Sequence, residues 1–154
     1  MGVSRKGSRL GGMTFLGYLL ESGFFGRLYP INPQAKKIRG IHAYPNLSSL
    51  PEVSELAIVC VAAPHVPSVL EDCARNGPKH IHILTAGFKE TRTEEDEKLE
   101  KRIASIANRE ALLIMGPPNC MGPYCPSSRL TAWGAIPGRA GYRGVISQSG
   151  GIAQ

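Results

Sequence analysis

The segment Leu56–Val61 reads Leu-Ala-Ile-Val-Cys-Val, an unbroken apolar run. A strand with one face in water alternates apolar and polar residues. A continuous run is what a strand buried on both faces requires, and such strands belong to parallel sheets covered by helices on both sides. His80–Thr85 and Ala111–Met115 read as the next two strands. Helical stretches separate them. Pro67 stands where a helix begins, with Val69, Leu70 and Cys73 inward and Gly77-Pro78 as the stop. Thr93-Glu94-Glu95-Asp96 reads as a helix N-terminus, followed by the stripe Leu99, Ile103 and Ile106. Upstream, Gly11-Gly12 opens a helix to about Ser22, with Leu16, Leu19 and Leu20 on one face and Gly23 as the stop. Leu28–Ile31 then predicts a short strand ended by Asn32-Pro33. This alternation predicts an α/β chain whose parallel sheet is connected by helical crossovers.

Both ends of that pattern predict more chain than is present. Gly2-x-Ser4, a Gly-containing loop and a helix form the turn that follows a first strand, and no strand precedes it. In a doubly wound sheet the first strand is central. The expectation is that this strand is missing, the start being truncated or another segment filling the gap. After Pro126 the composition shifts. Residues 126–143 read as a linker, densest in Gly, Pro and Arg from Gly134 to Gly144. Gly144-Val145-Ile146-Ser147 predicts a new strand and Ser149-Gly150-Gly151 the turn after it. A lone strand with half a turn is no domain, so a continuation beyond Gln154 is expected.

Composition narrows the function. With 42% hydrophobic and 19% charged residues the chain is ordinary for a globular domain. No apolar run nears the ~20 residues of a membrane span, and the start has no signal-peptide pattern, so a cytoplasmic location is expected. Cys60, Cys73, Cys120 and Cys125 fit neither a disulfide framework nor paired zinc-ligand spacing. Residues 1–39 hold seven basic groups and one acid, 7 − 1 = +6, which is the whole net charge of +6. A solvated basic face is the plain explanation, and an anion site the sharper one. Nucleic acid is disfavoured, since the segment has no long basic run and no known module signature.

Ligands of open parallel sheets lie at the carboxyl ends of the strands. The loops there, Gly2–Gly12, Asn32-Pro33, Ala62-Ala63-Pro64 and Thr85-Ala86-Gly87, are built of small residues that allow close approach to the backbone. The first runs onto a helix N-terminus, a natural phosphate site. A dinucleotide fingerprint is absent, and the second strand ends in Asn32-Pro33 rather than an acid that would bind a ribose diol. A ligand whose ribose carries a 3′-phosphate suits that turn better, with Lys36, Lys37 and Arg39 nearby.

The motifs Gly2-x-Ser4 with Gly11-Gly12, Tyr29-Pro30-Ile31-Asn32-Pro33, Ala43-Tyr44-Pro45-Asn46-Leu47, Thr85-Ala86-Gly87-Phe88, Pro118-Asn119-Cys120-Met121-Gly122 and Val145-Ile146-Ser147-Gln148-Ser149-Gly150 follow one another in a particular order. In that order and spacing the chain resembles the coenzyme-A-binding region of the nucleoside-diphosphate-forming acyl-CoA synthetases. ADP-forming acetyl-CoA synthetase and the α subunit of succinyl-CoA synthetase are members of that family. The resemblance implies a Rossmann-like domain over 1–125 and, from 144 to 154, the start of a second, flavodoxin-like ligase domain. It implies that Ser4, Arg5, Leu10 and Gly11 cradle the phosphates of coenzyme A. Asn32 and Pro33, with Lys36, meet its nucleotide, although the family's lysine sits closer to the proline. Ala63-Pro64 and Leu84-Thr85-Ala86 line the coenzyme, and Asn119 and Cys120 lie near its thiol. Ser149, Gly150 and Gly151 hold the phosphate of a phosphohistidine. That histidine lies past Gln154, so the resemblance implies an acid–thiol ligase fragment inactive alone. ATP or ADP and Mg enter only in the parent enzyme, through a separate grasp-type nucleotide-binding domain or subunit. In one departure, Gly116-Pro117-Pro118-Asn119 has two prolines where the family has one, predicting a shift of up to about 3.5 Å in the turn.

Each residue also has a plain role available. Ser4 and Ser149 serve as caps, Asn32-Pro33 as a strand stop, and Cys120 as an inert thiol. His80 and His82 share one strand face, but two ligands without a third make an incomplete metal site. The alternative to the synthetase reading is a stand-alone coenzyme A- or dinucleotide-binding regulatory module.

Overall fold

The structure, a computed structural model, describes residues 12–132 and 139–147. Helix α1 (Gly12–Glu21) ends at Gly23, whose φ of 67° supplies the left-handed stop. Strands β1 (Lys37–Ile38) and β2 (Ile41–His42) form a short antiparallel hairpin. Strands β3 (Leu56–Val59), β4 (His80–Ile83) and β5 (Leu113–Ile114) form a parallel sheet in the order β3-β4-β5. Helix α2 (Val66–Asn76) crosses from β3 to β4, and α3 (Glu94–Arg109) from β4 to β5.

The local chemistry explains these boundaries. A proline in the first turn of α2 lacks only an N–H that would be unpaired anyway, and Gly77 at φ 124° ends the helix. Thr93 caps α3 by accepting the Asp96 N–H at 3.2 Å, and Glu94, Glu95, Asp96 and Glu97 complement the helix dipole.

The unbroken apolar pattern of β3 is accounted for by helices on both faces. Ala57 and Val59, with Ile81 and Ile83 of β4, pack against Leu70 and Cys73 of α2 and Ile103 and Ile106 of α3. Ile58 faces the other way, against Phe15 and Leu19 of α1. The Rossmann-like α/β architecture expected from the sequence is the one observed.

Two segments differ from expectation. Leu28–Ile31 makes no ladder among the described residues, only an isolated bridge between Ile31 and Tyr44. Its bridge partner follows the β1–β2 hairpin, which the periodicity did not reveal. Residues 139–147 carry no strand: Val145 is 79% exposed and Ile146 fully exposed. Strand geometry needs a neighbour to accept its backbone hydrogen bonds, and Gly144–Ser147 has no strand beside it among the described residues.

Candidate site at the carboxyl ends of the strands

The loops leaving β3, β4 and β5 are tied into one row. The Thr85 hydroxyl donates to the Val61 carbonyl at 2.6 Å. The Thr85 carbonyl in turn accepts the Asn119 N–H at 3.0 Å. Ala63 lies against the same row, for a Cβ added at Gly87 would sit 3.3 Å from the Ala63 Cβ. Gly87 has φ 101°, so the turn needs glycine for its backbone as well as its size. Ala63 is buried, whereas Ala62, Pro64 and Ala86 are exposed, giving this rim a surface of small side chains. Leu84 donates its N–H to the Val59 carbonyl and turns its side chain into the core beside α1.

The double proline leaves the next turn attached to this row. Asn119 takes a left-handed φ of 61° and keeps its bond to Thr85. Cys120 is half-buried, and its sulfur lies so close to Gly116 that a Cβ there would approach within 2.9 Å.

Asn32 ends the segment that bridges to Tyr44. Its N–H donates to the Tyr44 carbonyl at 2.8 Å, and its Oδ1 accepts the Gln34 N–H at 2.8 Å, closing an Asx turn over Pro33. Lys36 is exposed, with its carbonyl accepting the Ala43 N–H at 3.0 Å. Arg39 lays its guanidinium over Gly17 of α1, where a Cβ would come within 3.0 Å of Cζ. Ser4, Arg5, Leu10, Gly11, Ser149, Gly150 and Gly151 lie outside the described residues.

One participant was not singled out from sequence. Glu90 accepts the Gly87 N–H at 2.7 Å and the Phe88 N–H at 3.2 Å, so these two amides are already engaged. The loop therefore offers a ligand its small side chains rather than those donors. The signal was present as a carboxylate three residues after a turn glycine.

The cysteines divide by environment. Burial pushes the Cys60 thiol up to about 11, whereas hydrogen bonds from the Ser127 and Ser128 hydroxyls draw Cys125 down to about 7. His82 is fully buried, and neither ring nitrogen has a well-formed hydrogen bond among the described residues. Burial lowers its pKa, only partly offset by the nearby Met115 backbone. His80 by contrast is exposed, its Nδ1 3.2 Å from the Glu55 carbonyl oxygen. Among the described residues no cluster of three or more His, Cys, Asp or Glu is arranged to hold a metal ion.

Fold and rim together define a Rossmann-like ligand-binding domain whose described strand ends present small residues, with Asn32-Pro33 where a ribose-binding acid would stand. The CoA binding domain family model matches residues 1–126, and the chain belongs to that family; coenzyme A is the ligand this membership assigns. The chain is 33% identical over 152 residues to the α subunit of an ADP-forming acetate–CoA ligase II from Pyrococcus furiosus, covering 99% of this chain and 32% of that protein. It is 39% identical over 131 residues to an ADP-forming acetate–CoA ligase from Methanocaldococcus jannaschii, covering 84% of this chain and 18% of that protein. Among solved structures, acetyl-coenzyme A synthetase 1 of Ca. Korarchaeum cryptofilum, in complex with phosphate and ADP, superposes with a TM-score of 0.76 at 34% identity. That match covers 85% of this chain and 27% of that one. The chain thus spans a third or less of the length of these relatives.

Proposed function

We propose that the chain is the coenzyme-A-binding part of a nucleoside-diphosphate-forming acyl-CoA synthetase acting in the cytoplasm. The observation that carries this reading is the family match over residues 1–126, extended by the likeness to a ligase α subunit along nearly the whole chain. The parent reaction converts an acid, coenzyme A and a nucleoside triphosphate to acyl-CoA, nucleoside diphosphate and phosphate, through an acyl phosphate and a phosphohistidine. Coenzyme A supplies the thiol that becomes the thioester.

In this reading each rim residue has a binding task. Ser4, Arg5, Leu10 and Gly11 receive the diphosphate at the amino end of α1. Asn32, Pro33 and Lys36 meet the nucleotide, where the lack of an acid spares the 3′-phosphate from repulsion. The small side chains of Ala63, Pro64 and Ala86 let the pantetheine arm lie along the backbone held by Thr85. Asn119 and Cys120 flank its thiol end. Ser149, Gly150 and Gly151 offer amides at a helix start to the phosphate on a histidine supplied by the rest of the enzyme. A grasp-type domain or subunit brings ATP or ADP with Mg.

Titration calorimetry with coenzyme A, dephospho-coenzyme A and NAD tests the reading. Saturable binding of coenzyme A, weaker binding of the dephospho form and no heat with NAD is expected. Binding of NAD without a response to coenzyme A sinks it.

A further inference from the structure

Beyond β4 the chain bends at Gly87, and the amides that follow the bend are met by the chain's own carboxylates. Glu90 accepts the Gly87 N–H at 2.7 Å through Oε1 and the Phe88 N–H at 3.2 Å through Oε2. Glu100 of α3 accepts the Lys89 N–H at 2.9 Å. The Thr91 N–H closes the segment by donating to the Phe88 carbonyl at 3.0 Å, and the Phe88 side chain is fully buried in the core.

Ala86 is thereby left between two fixed points. On one side Thr85 is tied to Val61 and Asn119. On the other, Gly87 is held by Glu90 and lies against Ala63. Ala86 is exposed, and among the described residues its own N–H and carbonyl engage no partner. Successive free amides at a bend make an anion nest. Here the amides of Gly87, Phe88 and Lys89 are filled, so the rim presents one open donor and one open acceptor at Ala86 instead. That pair complements a neutral amide. A phosphate or carboxylate finds no free row of donors there and meets the charge of Glu90 besides.

We infer that Glu90 is a positioning and specificity residue of the coenzyme site. It fixes the bend at Gly87 so that the Ala86 backbone meets a neutral amide of the pantetheine arm, and it closes the bend to anions. Glu90 acts through the loop rather than on the ligand. The inference rests on the coenzyme A reading above.

The test compares the 154-residue chain with its Glu90→Ala and Glu90→Gln variants. Amide hydrogen exchange and phosphate titration, both read by NMR without coenzyme, report on the clamp. In Glu90→Ala the Gly87 and Phe88 amides should exchange roughly tenfold faster, while Ile81 and Ile83 stay protected. Inorganic phosphate should shift the Gly87 and Phe88 amides of Glu90→Ala and leave those of the parent chain unmoved. Calorimetry then uses coenzyme A and adenosine 3′,5′-bisphosphate, which lacks the pantetheine arm. Glu90→Ala should bind coenzyme A roughly fivefold more weakly, a modest loss for charge-assisted bonds because Glu90 is exposed, and bind the bisphosphate as the parent does. Glu90→Gln keeps one acceptor oxygen and should fall between. Unchanged exchange at Gly87 and Phe88, or phosphate shifts equal in parent and variant, overturns the clamp. Unchanged coenzyme A affinity in Glu90→Ala overturns the positioning role. Equal weakening for both probes also overturns it, marking Glu90 as support for the fold alone. A parent chain that binds neither probe overturns the coenzyme A reading and the ligand half of the inference with it, while the exchange and phosphate arms decide the clamp on their own.

Discussion

Replacing His82 by leucine separates a pH-dependent cost from a packing cost. His82 is fully buried on β4, and neither ring nitrogen has a well-formed hydrogen bond among the described residues. An unsatisfied buried polar group costs about 1–3 kcal/mol, and an imperfect apolar replacement costs about 1 kcal/mol in packing. At pH 7.5 these oppose each other, and the net change is small. Acid breaks the balance. The unfolded imidazole takes up its proton near pH 6.5, while burial lowers the pKa in the folded state. Between those two values the unfolded chain binds more protons, so stability falls as pH falls. Linkage caps the loss between pH 7.5 and 5.5 at about 1.4 kcal/mol. Urea denaturation of both proteins at the two pH values is the assay. His82→Leu should lack this part of the acid loss, so the variant gains on the parent by up to about 1.4 kcal/mol. Parallel loss in both proteins would refute the assignment of the neutral, buried imidazole.

Two further outcomes follow from the rim. Thr85→Val removes the hydroxyl that bonds the Val61 carbonyl and should lower stability by about 1–2 kcal/mol in urea melts while weakening coenzyme A binding; Thr85→Ser should restore both. Iodoacetamide at pH 7.5, followed by peptide mass mapping, should label Cys125, whose thiol is drawn down to about 7, ahead of Cys60 at about 11 and the buried Cys73.

The parallel core was legible because its signals are local and redundant. Leu56–Val61 could only be a strand covered on both sides, and Pro67, Gly77 and Thr93 mark helix ends by backbone chemistry that acts wherever the residue occurs. The β1–β2 hairpin was not legible. Its turn, Arg39-Gly40, has φ of 47° and 82°, and arginine is not a residue that advertises a left-handed turn. Leu28–Ile31 read as a strand from its apolar residues, but pairing is decided by neighbours, and only Ile31 makes a bridge. At the site, the loops rich in small residues could be picked out because they follow strands. Their mutual attachment through Thr85 could not, since it joins residues 24 and 34 positions away. Glu90 was missed because its only sequence signal is its place three residues after the turn glycine Gly87, while its partners are backbone amides.

The most direct test of the account is an amide NMR titration of the chain with coenzyme A. The account predicts saturable shifts concentrated at Asn32, Ala63, Thr85, Ala86 and Asn119, with the amino ends of β3 and β4 unmoved. Shifts absent, or spread over the helical faces away from the strand ends, would contradict it.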